Sequence, residues 1–371
     1  MSSFSQSSYR FTHLGMDVHK DSISVGILPP DRESPELDKI VHDEPMVRRL
    51  VGRLVDQVGD PRLLRACYEA GPTGYGLHRL LESMGVRCDV IAPALIPRAP
   101  GDRVKTDKRD CRRLARLHRM GELVAIRVPS EAEEGVRDLC RARGDLIEDR
   151  RRARQRLSAF LLRHGVVWRD GSAWTIKHRE WLGSRRFTDP AVQATYDRYL
   201  ATATVREADV DAIEADLLPW FDGELFHDRC SRLACYRGID RIGALTLVSE
   251  VCDWRRFESA HRHMAFVGLV PCEYSSGQRT FRGHLTKAGN VHVRRQLVES
   301  AWAYQYPANV TRQITRRQEG AHPDTVTRAW QAQLRLCRRF RQLAARKDSR
   351  NVVAAAVARE LAGFVWAEMT A

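Results

Sequence analysis

The first regular feature of the chain is an alternation of apolar and polar residues near its start. Residues 22–28 alternate cleanly, residues 14–18 are mostly apolar, and His19-Lys20-Asp21 form a polar break between them. A period of two is typical of a strand with one buried face, and a short polar break between two such runs is typical of a turn. The pattern therefore predicts two short strands joined by a turn.

The following residues show helical and strand patterns in turn. Apolar residues recur every three or four positions over residues 44–58, which predicts a helix. Residues 63–69 and 86–91 are predicted to form strands, with a helix over residues 75–84 between them. Residues 93–101 are a proline-containing linker. Strands that alternate with helices indicate an α/β sheet.

Four carboxylates in this part of the chain occupy positions suited to chemistry. Asp17 interrupts the first strand, Glu69 ends the third, and Asp107 and Asp110 lie three residues apart at a predicted helix start. Open α/β sheets bind ligands at the carboxyl ends of their strands, and residues three apart share one helix face. Each acid alone is explained more simply, as a solvated strand end or as an acidic first turn that favours the helix dipole. Together they predict a site for two Mg²⁺ ions that clamp a phosphodiester.

From Val136 onward the apolar spacing changes to alternating steps of three and four. Residues 136–160 and 192–220 keep this spacing over several turns, which predicts two long coiled-coil helices. The polar and aromatic residues 168–190 are predicted to form the tip of an antiparallel hairpin, whose seam could also dimerise. The basic cluster at residues 150–156 is interpreted either as a solvated face or as a contact with a phosphate backbone.

The last part of the chain is predicted to be mostly helical. Residues 238–243 form a glycine-bearing turn, interpreted equally as a phosphate-binding turn or as a simple helix hairpin. Ser275-Ser276-Gly277 lies in a predicted loop between basic residues, which either binds phosphate, holds a nucleophile or is only a loop. Helices are predicted over residues 291–302 and 325–371.

Composition narrows the class of partner. The 371 residues carry a formal net charge of +14, which indicates a polyanionic partner, most often nucleic acid. No apolar run reaches the roughly 18 residues of a membrane span, and the serine-rich start has no apolar signal core. The nine cysteines are dispersed and form no C-x-x-C pair, which fits a reducing cytoplasm and excludes a common zinc-site spacing.

The order of these motifs resembles one protein family, the DEDD transposases of the insertion-sequence 110 family. Its members are RNA-guided recombinases of bacterial mobile elements, and the resemblance covers nearly the whole chain. Three segments resemble the family's acidic motifs and three resemble motifs of its C-terminal domain. The segments are Gly15–Lys20, Glu69–Gly76, Lys105–Asp110, Gly268–Pro271, Ser275–Gly277 and Thr286–Asn290.

The resemblance implies a fold of the α/β plus α class in three domains. A RuvC-like (RNase H-like) domain over residues 11–129 follows a disordered tail at residues 1–10. A coiled-coil helical hairpin at residues 130–228 would dimerise the protein. A mostly helical transposase domain, residues 229–371, would carry a serine nucleophile.

The resemblance also implies the chemistry and the partners. Asp17, Glu69, Asp107 and Asp110 would bind Mg²⁺, with Mn²⁺ as a substitute. Two adjacent hydroxyls compete for the role of nucleophile, and the position directly before glycine favours Ser276 over Ser275. The partners would be donor and target DNA, a structured non-coding guide RNA and further copies of the chain, as a dimer or as a tetramer on nucleic acid. The protein is expected in the bacterial cytoplasm, associated with the nucleoid. No membrane partner is expected. The expected nucleic-acid-binding residues are Lys105, Arg109, Arg150, Arg151, Arg154, Arg279, Arg282, Lys287, Arg294 and Arg295.

Two other functions are compatible with the same residues. A RuvC-like nuclease would hydrolyse branched DNA with water as the nucleophile and would need the four acids but no serine. A basic nucleic-acid-binding protein without enzymatic activity would use the acids only structurally, and would tolerate Asp17→Asn. The response to substitution of the acids and of Ser276 separates these three functions.

Overall fold

A computed structural model describes residues 10–97, 107–276 and 279–371 of the chain. The side chains of residues 107, 108, 274–276, 279, 280 and 282 lie outside this description. The chain divides after Val128 into two compact units, an N-terminal unit and a C-terminal unit. The three predicted domains are a finer division and stay a prediction.

The described part of the N-terminal unit combines five strands with three α-helices. Its sheet has the order β3-β2-β1-β4-β5, in which β1 pairs antiparallel with β2 and parallel with β4. Outer strand β3 is antiparallel to β2, and β5 is parallel to β4. The elements are β1 (Thr12–Val18), β2 (Ser22–Leu28), β3 (Glu36–Val41), α1 (Glu44–Val58), β4 (Leu64–Glu69), α2 (Gly76–Ser83), β5 (Arg87–Ile91) and α3 (Asp107–Met120).

Most of these elements agree with the sequence prediction, and one was missed. The hairpin, the helix over residues 44–58 and the two later strands are confirmed. The edge strand β3 was not predicted, because only Ile40 of its six residues is buried and no apolar alternation marks it. An outer strand of this kind is specified mainly by its pairing partner.

The helices cover the two faces of the sheet differently. Leu14, Met16 and Tyr68 pack in one core with residues of α1 and α2. On the other face α3 crosses β1 and β2 at two glycines. A Cβ atom on Gly15 would lie 2.3 Å from the backbone of α3, and one on Gly26 would lie 2.8 Å from it. These glycines therefore allow α3 to pack directly against the sheet backbone.

Two long helices begin the C-terminal unit, α4 (Glu131–Arg163) and α6 (Pro190–Asp222), joined through α5 (Ile176–Gly183). Ion pairs join Arg143 to Glu214 and Arg154 to Glu207, so the two helices run antiparallel. Two long helices and an aromatic connecting segment were predicted correctly. Trp220, the last residue of the predicted apolar run 192–220, is 46% exposed, so its predicted place in the contact between the helices was wrong. That the two helices form a coiled coil stays a prediction.

The rest of the C-terminal unit is a cluster of helices with one hairpin, β6 and β7. The predicted Ser-Ser-Gly loop was wrong at its serines, because Ser275 and Ser276 pair with Thr280 and Arg279 across this hairpin. Within the described residues, none of the helices is both long and apolar enough to cross a bilayer. The elements are α7 (His227–Ala234), α8 (Arg241–Val251), α9 (Ala260–Val267), β6 (Pro271–Ser276), β7 (Arg279–Leu285), α10 (Val291–Ala301), α11 (Arg312–Gln318), α12 (Pro323–Ala344) and α13 (Arg350–Thr370).

Candidate active site

The register of two parallel strands places Asp17 beside Glu69. Gly15 of β1 is aligned with Cys67 of β4, and Met16 with Tyr68. Since side chains alternate between faces, Asp17 and Glu69 lie on the same face as Gly15 and Cys67, the face that α3 covers. Both acids line one open cleft of about 700 Å³. The predicted proximity of these two carboxylates is therefore supported by the strand register.

Helix α3 runs antiparallel to β1. His118, near its end, lies beside His13 at the start of β1, with 3.2 Å between their Nδ1 atoms. About two turns earlier in α3, Cys111 packs over Gly15. Burial raises the pKa of the Cys111 thiol, and the negative charge of Asp17 raises it further. The first turn of α3 therefore lies toward the end of β1 that carries Asp17.

Asp110 lies in this first turn, and one of its oxygens has no hydrogen-bond partner among the described residues. Its side chain is 15% exposed, and its Oδ1 accepts a hydrogen bond from Nη2 of Arg113 at 3.3 Å. Its Oδ2 is buried and has no hydrogen-bond partner among the described residues. A buried oxygen left in this way is costly unless a ligand satisfies it, and carboxylate oxygens are the ligands Mg²⁺ prefers. The residues present therefore fit a divalent cation.

The complete predicted cluster of four acids is not observed. Among the described side chains, no three His, Cys, Asp or Glu residues are grouped closely enough to hold a metal ion. Asp107 is the first residue of α3, and its side chain lies outside the described residues. The structure thus places Asp17 next to Glu69 on neighbouring strands and brings the start of α3 toward them. The convergence of all four carboxylates stays a prediction.

His19 belongs to the same cleft, although the sequence analysis treated it only as part of a turn. Its Nε2 lies 3.3 Å from Oδ2 of Asp17. Its backbone carbonyl accepts a hydrogen bond from Nδ1 of His42 at 2.7 Å. An imidazole two residues after a strand acid is a local signal that could have identified it. Its contact orients the Asp17 carboxylate within the cleft.

The serines of the C-terminal unit lie at the end of β6. Ser276 is the last residue of that strand, aligned with Arg279 of β7, and Gly277 falls outside the described residues. Ser275 is aligned with Thr280. The two candidate serines therefore occupy consecutive positions next to the turn of a hairpin.

The segment Thr286–Asn290 supports the local fold. A Cβ atom on Gly289, where φ is +107°, would lie 2.0 Å from the carbonyl oxygen of Phe266, so only glycine fits there. Asn290 caps α10 by accepting a hydrogen bond from the backbone of Val293, and it donates one to Glu250 at 2.8 Å. Most of this motif therefore holds α9 and α10 together.

The remaining basic candidates are spread over several surfaces. Arg150, Arg151 and Arg154 line a cavity of about 500 Å³ with Trp174. Arg154 is already paired with Glu207 at 2.6 Å, and Arg151 with Glu148 at the same distance. Lys105 lies outside the described residues, as do the side chains of Arg279 and Arg282. Arg109, Lys287 and Arg295 are exposed, and Arg294 donates a hydrogen bond to the carbonyl of Val267.

The chain has a mixed sheet with acids at its strand ends, followed by a basic helical unit. This combination is typical of proteins that process nucleic acids, and comparison with known protein families gives the same class. Residues 14–165 match the DEDD_Tnp_IS110 transposase family, and residues 230–315 match the transposase IS116/IS110/IS902 family. The chain is 41% identical to the protein y4qE of Sinorhizobium fredii, named as a transposase, over 97% of this chain and 88% of that protein. It is 33% identical to the transposase for insertion sequence element IS1533 of Leptospira borgpetersenii, over 90% and 97%.

The chain belongs to the IS110 family of transposases. The family is one of DNA strand cleavage and transfer, so DNA is a substrate. Its DEDD domain implies a RuvC-like fold for the N-terminal unit and indicates dependence on a divalent metal.

Proposed function

We propose that this protein is a recombinase that excises and inserts its own element under the direction of a structured non-coding RNA. Acids of the N-terminal unit and Ser276 of the C-terminal unit carry the chemistry. The observation that supports this most is the strand register of Asp17 and Glu69, together with the partnerless oxygen of Asp110 in the helix that covers them.

Asp17, Glu69, Asp107 and Asp110 are the residues that hold Mg²⁺, or Mn²⁺ in its place. Bound there, the metal supplies Lewis-acid stabilisation of charge on the phosphodiester oxygens. Within the chain, His19 orients the carboxylate of Asp17 through its 3.3 Å contact. Arg113 holds one oxygen of Asp110 and leaves the other available for a ligand.

Ser276 is the nucleophile of this proposal. Its Oγ loses its proton and forms a bond to the scissile phosphorus while the bond to the leaving deoxyribose oxygen breaks. The leaving oxygen takes up a proton, so one proton is released and one is taken up. The phosphodiester energy is kept in the covalent ester, so the reverse step joins a new DNA end without an external energy source. The hairpin position before Gly277, close in sequence to several arginines, supports this role.

The partners of the proposal follow from charge and exposed surface. A net charge of +14 suits both DNA and a guide RNA. The helices α4 and α6 expose Leu162, Val205 and Trp220, apolar residues that a second copy could cover. A dimer through residues 136–220, and a tetramer on nucleic acid, are therefore part of the proposal. A metal-dependent nuclease that uses water stays the alternative.

Strand exchange between DNA ends of the element, with the guide RNA and Mg²⁺ present, tests the acids. Asp17→Asn is expected to lower the cleavage rate by roughly a hundredfold or more, because several kcal/mol of charge stabilisation are lost with the metal. Normal cleavage by Asp17→Asn would contradict the proposal and favour a protein that uses the acids structurally.

The same assay tests the serine. Ser276→Ala is expected to abolish recombination while DNA and RNA binding persist, and Ser275→Ala serves as the neighbouring control with a smaller effect. Mass spectrometry of the trapped reaction is expected to find DNA esterified to Ser276. Cleavage at the normal rate by Ser276→Ala, or an adduct elsewhere, would favour the nuclease that uses water. Recombination without RNA would remove the guide from the proposal.

A further inference from the structure

Helix α3 exposes a groove lined with arginines next to the acids. Arg109, Arg112, Arg113 and Arg116 line it on one side, and Ser34 and Pro35, just before β3, line it on the other. Its volume is about 600 Å³, and none of the described residues that line it is acidic. The groove is distinct from the cleft that Asp17 and Glu69 share.

The helical positions of these arginines form one continuous row. Arg109, Arg112 and Arg116 follow each other at steps of three and four, so they share one flank over roughly 10 Å of helix. Leu114 and Ala115 are buried against the sheet on the other side of the helix. The row therefore faces solvent along the whole length of the groove.

One arginine connects the groove with the candidate site. Arg113 lines the groove and also donates to Oδ1 of Asp110 at 3.3 Å. The second oxygen of Asp110 is the buried one without a described partner. A chain of phosphates that reached Asp110 would therefore continue directly into the groove.

Among the described residues, only Arg113 of the four arginines that line the groove has a carboxylate partner, Asp110. Arg109 and Arg112 are exposed and make no ion pair or hydrogen bond with any described side chain. Among the described residues, the partner of Arg116 is the neutral hydroxyl of Ser34, to which it donates a hydrogen bond. In contrast, Arg48 on α1 is paired with Glu44 at 2.7 Å. Several guanidinium groups without a nearby carboxylate attract phosphate, which they can bind in a bidentate manner.

We propose that this groove binds the backbone of the DNA strand being cut, at phosphates adjacent to the scissile one. Phosphates of one strand are spaced by about 3.4 Å along a duplex axis, so the arginine row spans roughly three of them. The strand is DNA, because the phosphate at Asp110 is the scissile phosphate of the DNA in this proposal, and the phosphates next to it belong to the same strand. The inference rests on the proposed function and adds the path of the substrate.

The test compares two charge reversals of equal size in the full-length protein. Arg112→Glu changes the groove, and Arg49→Glu is the control, because Arg49 is an exposed residue of α1 on the other side of the sheet. Binding to duplex DNA of the element end is measured in EDTA over a series of salt concentrations. Arg112→Glu is expected to weaken binding about tenfold and to reduce the salt slope by about 1, the value of one lost phosphate contact.

Ethylation interference then maps which phosphates are affected. For Arg112→Glu, interference is expected to disappear within about three phosphates of the cleavage position and to persist elsewhere. Three results would overturn the proposal that the groove binds this DNA strand. They are equal weakening of binding by Arg49→Glu, loss of interference only at distant phosphates, and weakening of RNA binding alone. These binding results do not depend on whether Asp17→Asn cleaves, so failure of the groove and failure of the proposed function are distinguishable.

Discussion

The buried acids of the C-terminal unit and the candidate site acids of the N-terminal unit differ in how their oxygens are paired. In the C-terminal unit, Glu368 is 0% exposed and accepts hydrogen bonds from Arg328 at 2.6 Å, Thr325 at 2.8 Å and Arg232 at 2.9 Å. In the N-terminal unit, Asp17 is 21% exposed beside an open cleft, and Asp110 keeps a buried oxygen without a described partner.

The pKa of a buried acid shows what complete pairing achieves. Burial alone would raise the pKa of Glu368, but hydrogen bonds from Arg328, Arg232 and Thr325 outweigh burial and hold the pKa below its usual value. Glu250 behaves similarly, because Arg141 and Asn290 overcome the effect of its burial. Completely paired acids of this kind stabilise the fold, whereas the oxygen of Asp110 that has no described hydrogen-bond partner is available to a ligand.

The largest effect on stability is expected for Glu368→Ala. It leaves the cations of Arg232 and Arg328 without their partner, and breaking a buried pair in this way costs about 3–5 kcal/mol. Urea unfolding measures the loss. Glu360→Ala on the same helix, α13, is the control, because its pairs with Arg335 and Arg339 lie at the surface and are each worth about 1 kcal/mol or less. Equal losses would contradict the comparison.

A smaller effect is expected from pH at a buried histidine of the C-terminal unit. Burial, with a smaller effect of Arg256, lowers the pKa of His263 to about 4, and its Nδ1 donates to the carbonyl of Ala362. The folded state therefore holds the neutral form, so stability is complete above pH 6.5 and decreases as the pH falls toward 4. The decrease is about 3 kcal/mol in total.

Thermal unfolding between pH 7 and pH 4 measures this change, and His263→Gln isolates it. The variant is expected to lose this part of the pH dependence, whereas the contributions of His178 and His292, whose pKa values are also lowered, remain. An unchanged pH profile in His263→Gln would show that other groups account for the effect.

The smallest effect on stability is expected for Asp110→Asn. Removing a negative charge that the fold does not completely pair should change the free energy of unfolding by less than about 1 kcal/mol. Mg²⁺ is expected to raise the melting temperature of the wild-type protein more than that of the variant, because only a bound ion stabilises the folded state. A large loss of stability in Asp110→Asn, or an equal response of both proteins to Mg²⁺, would show that Asp110 stabilises the fold, as Glu368 does, and does not bind the metal.

Much of the N-terminal fold was predictable, but the contacts that form its site were only partly so. The helix over residues 44–58 and the candidate acids could be identified from local spacing and strand ends. The groove beside Arg112 could not, because Ser34 and Arg116, which line it, are distant in sequence. His19 did have a local signal, its position two residues after Asp17, which the sequence analysis did not use. The hairpin holding Ser276 was missed for a similar reason, since its polar residues carry no apolar alternation.

The sequence by itself determined where the helices and most strands form, the excess of positive charge and which acids were candidates. These properties depend on side chains within a few turns of each other. Only the tertiary structure decided that Asp17 lies beside Glu69 and that α3 packs on Gly15, with Cys111 over that glycine. Strand register and helix approach depend on contacts between segments far apart in the chain, and local periodicity carries no information about them.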